Sequence, residues 1–133
     1  MQLGMVGLGR MGGNMVRRLL QGGHTIHVFD PSSDAVAASV GEGAVGNGSL
    51  EELVDSLSAP RAMWVMVPDG PPTDETVSRL VSLLDPGDTV IDGGNSNYKD
   101  SMRHAEELAA EGIKFLDSGT SGGIWGLKEG YSL

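Results

Sequence analysis

Near the start of the chain, Gly7-Leu8-Gly9-Arg10-Met11-Gly12 places glycines at the spacing G-x-G-x-x-G. Between a strand and a helix that spacing has a definite chemistry. The first glycine permits a tight turn, the second lets backbone approach a pyrophosphate, and the third lets the helix pack closely on the strand. The free N–H groups and the positive dipole end of the helix then face the phosphates. Asp30 follows Gly12 by 18 positions, where a carboxylate can accept hydrogen bonds from ribose hydroxyls and repel a 2′-phosphate. An Asp-Pro turn with a helix N-cap is the other reading of the same residue. Together these residues predict binding of NAD rather than NADP. Further along, Asn95 follows Gly93-Gly94, so an amide with both a donor and an acceptor can approach a ligand closely. Ser121-Gly122-Gly123 can turn successive N–H groups toward one point, a nest suited to a carboxylate. His24, His27 and His104 have no metal-ligand spacing, and Lys99 and Lys128 read as solvated surface lysines rather than bases. Trp125 is either an anchor beside the Ser121 turn or a core residue.

The elements that must position these residues follow from periodicity. Gln2 to Gly7 reads as a buried strand running into the glycine turn. Met11, Met15, Val16, Leu19 and Leu20 then fall on one face of a helix that ends at Gly22-Gly23. His24–Phe29 is a second strand, stopped by Asp30-Pro31. The alternation continues with a helix from Ser32 to Val40, a very short strand at Ala44-Val45, and a helix through Leu57. That third helix opens at a Ser49/Glu52 capping box. A continuous apolar strand from Arg61 to Val67, a helix from Pro72 to Leu84 and a strand at Thr89–Ile91 follow. A helix from Tyr98 to Glu111 and a strand at Ile113–Leu116 complete the series. The last 17 residues, up to Leu133, are expected to run on without a final helix. Strand–helix alternation throughout predicts one α/β domain over 1–133, Rossmann-type and doubly wound around a mainly parallel sheet.

Composition limits the alternatives. The chain has 133 residues, no cysteine, and 9 basic against 18 acidic side chains for a net charge of −9. An acidic balance of that size excludes nucleic acid as an expected partner, because phosphate backbones need a basic face. The longest apolar run, Ala62 to Val67, is far short of the about 20 residues a membrane span needs. With no charged leader before an apolar stretch, the expected location is the cytoplasm. Absence of cysteine removes disulfides, thiolate ligands and cysteine nucleophiles. Glycine is in excess, 21 residues against a usual share of about 7%, and it gathers at the turns named above.

Three segments carry a resemblance to a known family. Gly7-Leu8-Gly9-Arg10-Met11-Gly12-Gly13-Asn14-Met15 resembles the β-hydroxyacid dehydrogenase superfamily. Asp92-Gly93-Gly94-Asn95-Ser96-Asn97-Tyr98 and Thr120-Ser121-Gly122-Gly123-Ile124-Trp125-Gly126 narrow it to 6-phosphogluconate dehydrogenases, in their shorter, NAD-preferring bacterial branch. The resemblance implies oxidation of 6-phosphogluconate at C3, decarboxylation, and release of ribulose 5-phosphate, by a homo-oligomeric parent enzyme. It implies that Gly7 to Gly12 (with Leu8, Arg10 and Met11) hold the pyrophosphate and that Asp30, Pro31 and Ser32 meet the adenosine ribose. Met66, Val67 and Pro68 would border the cofactor, Asn95 would reach cofactor and sugar acid, and Ser121, Gly122 and Gly123 would cradle the substrate. NADP-using relatives carry Asn-Arg-Thr where this chain has Asp30-Pro31-Ser32. The family's catalytic lysine and glutamate belong to a following all-helical domain, so they are expected beyond Leu133. The lysine and histidine-asparagine motif of that domain is absent from the 133 residues. The expectation is therefore a cofactor domain with no catalytic residue of its own. Two other readings stay open: a sibling 3-hydroxyisobutyrate-type dehydrogenase, and a stand-alone nucleotide-binding module.

Overall fold

A computed structural model describes residues 1–133, the Ile124 side chain apart. Its strands are β1 (Gln2–Val6), β2 (Thr25–Phe29), β3 (Val45–Gly46), β4 (Ala62–Val65), β5 (Thr89–Asp92) and β6 (Lys114–Asp117). Between them run α1 (Arg10–Gln21), α2 (Ser33–Gly41), α3 (Leu50–Ser56), α4 (Pro71–Leu83) and α5 (Tyr98–Ala110). The strands form one sheet in the order β3-β2-β1-β4-β5-β6, with every pairing parallel. The chain winds outward from β1 to one edge, then crosses to β4 and winds to the other. That is the doubly wound arrangement, and its strand order reverses between β1 and β4.

Side-chain alternation assigns each face of the sheet its own core. On β1, Leu3 and Met5 face one side and Val6 the other; on β4, Met63 and Val65 oppose Trp64. One core joins Leu3, Met5, Ile26 and Val28 to Met15 and Val16 of α1. The other joins Val6, Met63, Val65 and Val90 to Leu53, Val77, Leu80 and Leu108 from α3, α4 and α5. Strands covered on both faces must be apolar on both, which accounts for the unbroken run at β4.

Apart from one-residue shifts at element ends, such as β3 at Val45–Gly46 rather than Ala44-Val45, the structure departs from the sequence reading in two places. Strand β4 ends at Val65 rather than Val67. Met66 N–H still reaches Val6 carbonyl at 2.8 Å, but Pro68 has no N–H to extend a ladder, and Met66-Val67-Pro68 leaves the sheet as a loop. The C-terminal segment is also not without helix. A single 3-10 turn, Gly123–Trp125, leads into a short helix α6 (Gly126–Glu129). Long-range partners build this segment. The Tyr131 ring lies against Gly126, Arg18 of α1 donates to the Leu127 carbonyl at 3.1 Å, and Ser121 and Ser132 exchange backbone hydrogen bonds of 2.9 and 2.8 Å. Leu133, one residue past that bridge, takes no part in either core and stands 71% exposed.

Asp88 ties the sheet edge away from these loops. It is 1% exposed and accepts hydrogen bonds from Arg61 N–H (2.6 Å), Asp85 N–H (2.9 Å) and the Arg61 guanidinium (3.1 Å). Burial pushes its carboxyl upward, but these donors outweigh burial and hold it below the usual carboxylate value. A depressed carboxylate stabilises the fold above the unfolded pKa of about 4, and that contribution fades as pH falls through the lower folded value. Asp88→Asn is therefore expected to cost about 1–3 kcal/mol at neutral pH. In urea denaturation the gap between wild type and variant should narrow progressively below about pH 4.

Candidate functional site

Beyond the carboxyl ends of β1 and β4, a cleft of about 610 Å³ opens. The turn after β1 supplies Gly7, Gly9, Met11 and Gly12, and the end of β2 supplies Phe29, Asp30 and Pro31. Met66, Val67 and Pro68 enter from the loop after β4, and Gly93, Gly94 and Asn95 from the turn after β5. Leu50 of α3 and Pro72, Glu75 and Thr76 of α4 close the remaining wall. Four strand ends thus converge at the switch point, the place where open α/β sheets bind ligands. The lining holds two carboxylates, Asp30 and Glu75, and no lysine, arginine or histidine.

The three glycines of the fingerprint differ in what constrains them. Gly7 has φ +97°, and a Cβ there would strike the Met66 carbonyl. A Cβ on Gly12 would strike the Gly7 carbonyl, so α1 can sit this close to β1 only without one. Both glycines are demanded by the fold. Gly9 is not: its φ of −60° and ψ of −172° suit any residue, and a Cβ there would meet nothing within 4 Å. Gly9 is the N-cap of α1 and makes no side-chain cap bond. Open space above a helix N-terminus with unpaired N–H groups fits a phosphate-bearing ligand.

Asp30 is half-buried and ties two pieces of backbone together. One carboxylate oxygen accepts from Leu8 N–H and the other from Ser32 N–H, both at 2.8 Å. The N-cap of α2 is Ser32, whose hydroxyl accepts from Ala35 N–H at 3.3 Å, so Asp30 is not the cap. A carboxylate has roughly four acceptor positions, which leaves Asp30 capacity toward the cleft after these two bonds.

On the opposite wall, Asn95 stands at φ +58°, in the left-handed region that asparagine tolerates better than most residues. Its amide meets the backbone of Thr120 from both ends: Thr120 N–H donates to Oδ1 (3.2 Å) and Nδ2 donates to the Thr120 carbonyl (3.4 Å). This pairing brings the Asn95 turn and the Ser121 turn side by side.

The structure does not gather every residue singled out from the sequence. Leu8 and Arg10 line a shallow neighbouring depression with Gly13, Asn14 and Arg17. Ser32 lies outside the cleft lining, as do the exposed Ser121, Gly122 and Gly123. Ser121 N–H is taken up by the Ser132 carbonyl, which removes one donor from the expected nest. Leu133 also lies outside the lining. It is an exposed apolar side chain with no chemistry to offer the cleft. Trp125 is 65% exposed, so core packing does not explain it. No histidine lines the cleft. His27 is buried between Ser56 Oγ (2.8 Å) and Gln2 (3.2 Å), and burial pushes its imidazole below the usual value. His104 is held by Asp74 at 2.8 Å. Among the described residues no cluster of His, Asp and Glu is arranged for a metal ion. Sequence reasoning missed Phe29, Leu50, Pro72, Glu75 and Thr76. Leu50 lies on a helix read only from its capping box, and Pro72, Glu75 and Thr76 on one for which the sequence assigned no face.

The chain matches the family described as the NAD binding domain of 6-phosphogluconate dehydrogenase over residues 2–133. It is 47% identical over 133 residues to an NAD(+)-dependent, decarboxylating 6-phosphogluconate dehydrogenase of Haloferax volcanii, covering 100% of this chain and 44% of that protein. A decarboxylating 6-phosphogluconate dehydrogenase of Staphylococcus aureus is 42% identical over 136 residues, with 99% and 29% covered. Among solved structures, Plasmodium falciparum 6-phosphogluconate dehydrogenase superposes with a TM-score of 0.90 at 28% identity, over 98% of this chain and 29% of that one. Mycobacterium tuberculosis 3-hydroxyisobutyrate dehydrogenase gives 0.85 at 26% identity, over 94% and 42%. The chain spans less than half the length of these relatives. With the doubly wound sheet and the glycine turn at its switch point, the chain belongs to the family of NAD-binding domains of 6-phosphogluconate dehydrogenases.

Proposed function

We propose that this chain is the cofactor half of an NAD-dependent, decarboxylating 6-phosphogluconate dehydrogenase. The observation that carries the proposal is the open space over Gly9 at the N-terminus of α1, in a cleft that Asp30 borders. In this reading the turn from Gly7 through Gly12, with Leu8, Arg10 and Met11, holds the pyrophosphate. Asp30, Pro31 and Ser32 take the adenosine ribose, and Met66, Val67 and Pro68 form the wall beside the cofactor. Bound NAD would supply the hydride acceptor. Asn95 has one amide hydrogen and one lone pair beyond those used on Thr120, enough to meet both cofactor and substrate. Ser121, Gly122 and Gly123 would cradle the sugar acid. The parent enzyme would act in the cytoplasm as a homo-oligomer, converting 6-phosphogluconate to ribulose 5-phosphate. Gly93-Gly94-Asn95-Ser96 favours this substrate over that of a 3-hydroxyisobutyrate-type sibling, in which a serine-threonine turn is usual at this place.

The walls of the cleft carry two carboxylates and no cation, an arrangement that repels an added 2′-phosphate. Calorimetric titration should therefore show NAD binding more tightly than NADP; equal or tighter NADP binding would overturn the role given to Asp30. Gly9→Val should melt close to wild type yet lose NAD binding, because the added side chain meets only ligand space. Gly12→Val, by contrast, should melt well below wild type. The cleft also offers no lysine or histidine to take the C3 hydroxyl proton, a deficit of about 10²–10⁴ in rate. The 133-residue chain should therefore form no measurable NADH from 6-phosphogluconate, while a chain fused after Leu133 to the helical domain of a relative should turn over.

A further inference from the structure

Asp92, the last residue of β5, is completely buried, and among the described residues no cation pairs with it. A buried carboxylate without a counter-ion is costly unless hydrogen bonds satisfy it. Here they come from the turn that follows. Gly94 N–H donates to one carboxylate oxygen at 2.9 Å, and the Ser96 hydroxyl donates to the other at 2.5 Å. These two donors flank Asn95, so the carboxylate grips the turn on either side of the residue held at φ +58°. The Asp92 carbonyl accepts from Ser118 N–H at 2.9 Å, which joins the same residue to the segment leading to Thr120. The Asn95 amide then closes the loop on the Thr120 backbone.

We propose that Asp92 is a positioning residue: by clamping Gly94 and Ser96 it fixes Asn95 against Thr120, and so sets the Asn95 amide at the junction of the cofactor cleft and the Ser121 turn. Its consequence for ligand binding rests on the cofactor reading given above; its mechanical part does not. Hydrogen bonds to a charged acceptor are the stronger kind, and Asp92 makes two, one on each side of the residue it holds.

Two measurements test this on the 133-residue chain. Hydrogen exchange reads the Thr120 N–H, whose acceptor is Asn95 Oδ1. In Asp92→Ala and the milder Ser96→Ala it should exchange about tenfold faster or more, the size of one lost hydrogen bond, while the Val90 N–H inside β5 stays as slow as in wild type. Asp92→Asn, which keeps an acceptor for Gly94, should restore most of the protection. Uniform acceleration through β5, or an unchanged Thr120, would overturn the positioning role, and Ser96→Ala keeps the test available if Asp92→Ala does not fold. The second measurement is NAD affinity in a double-mutant cycle. Ser96→Ala should weaken binding in the wild-type background but add nothing to Asn95→Ala, since it acts through that side chain. Additive losses would overturn the coupling to the cofactor. If the wild-type chain binds no NAD while Thr120 still loses protection in the variants, the clamp is upheld and the cofactor reading defeated, so the two ideas fail separately.

Discussion

The constraint on which the rest depends is the approach of helix α1 to strand β1, where Gly12 sits against the carbonyl of Gly7 with no room for a methyl group. That contact fixes the direction in which α1 leaves the sheet. Because α1 starts directly over the carboxyl end of the central strand, its free N–H groups face the gap between β1 and β4 instead of solvent at the sheet edge. The flanking strands then deliver their own loops to the same gap. Phe29 carbonyl accepts from Gly7 N–H at 3.0 Å and Val6 carbonyl from Met66 N–H at 2.8 Å, so the β2 exit is hydrogen-bonded to the glycine turn and the β4 exit to the last residue before it. A bulkier residue at position 12 would shift the start of α1, its free N–H groups and both neighbouring loops together.

Carboxylates serve opposite ends of this sheet in different ways. At the edge away from the cleft, Asp88 meets the guanidinium of Arg61 and two backbone N–H groups, an arrangement that closes on itself and has no ligand to serve. At the cleft edge, Asp30 and Asp92 bond backbone N–H and hydroxyl groups and have no cationic partner among the described residues. An arginine pairing there would stiffen the loops equally well, but it would also place a positive charge beside the cleft. Using neutral donors to satisfy these acids keeps the loops ordered while leaving the local field negative.

Much of this was legible from the sequence because the signals are local. The spacing of Gly7, Gly9 and Gly12, the stop at Asp30-Pro31 and the apolar run at β4 each report on a few adjacent residues, and the all-parallel sheet follows from their alternation. The family resemblance added which strand ends would matter. What could not be read depends on residues far apart in the chain. Ser32 rather than Asp30 caps α2 because the Asp30 carboxylate is drawn to Leu8, 22 positions away. Helix α6 exists because Arg18 and Tyr131 hold it, and the exposure of Trp125 rules out only the core half of its two readings. Asp92 was visible within its motif, yet nothing in an Asp-Gly-Gly-Asn string says that the aspartate points inward and grips the turn.

The charge of the whole chain sharpens the question of how an anionic dinucleotide would be held. At a net charge of −9 the long-range field opposes the approach of a pyrophosphate, and the cleft lining adds two acids without a base. Screening limits that opposition to about 8 Å at physiological salt, so the repulsion weighs on a ligand in the cleft more than on its distant approach. A pyrophosphate bound as proposed would meet oriented N–H groups at the start of α1, whose contribution is short-ranged and falls off within the first turn. The same short range makes the position of Gly9 decisive: a side chain large enough to hold the phosphates away from the helix end would leave the repulsion intact and remove the attraction. A domain that recognises its ligand through backbone rather than through lysine or arginine tolerates an acidic surface. Such a surface also sharpens selection, because every further phosphate brought within that range is disfavoured by charge.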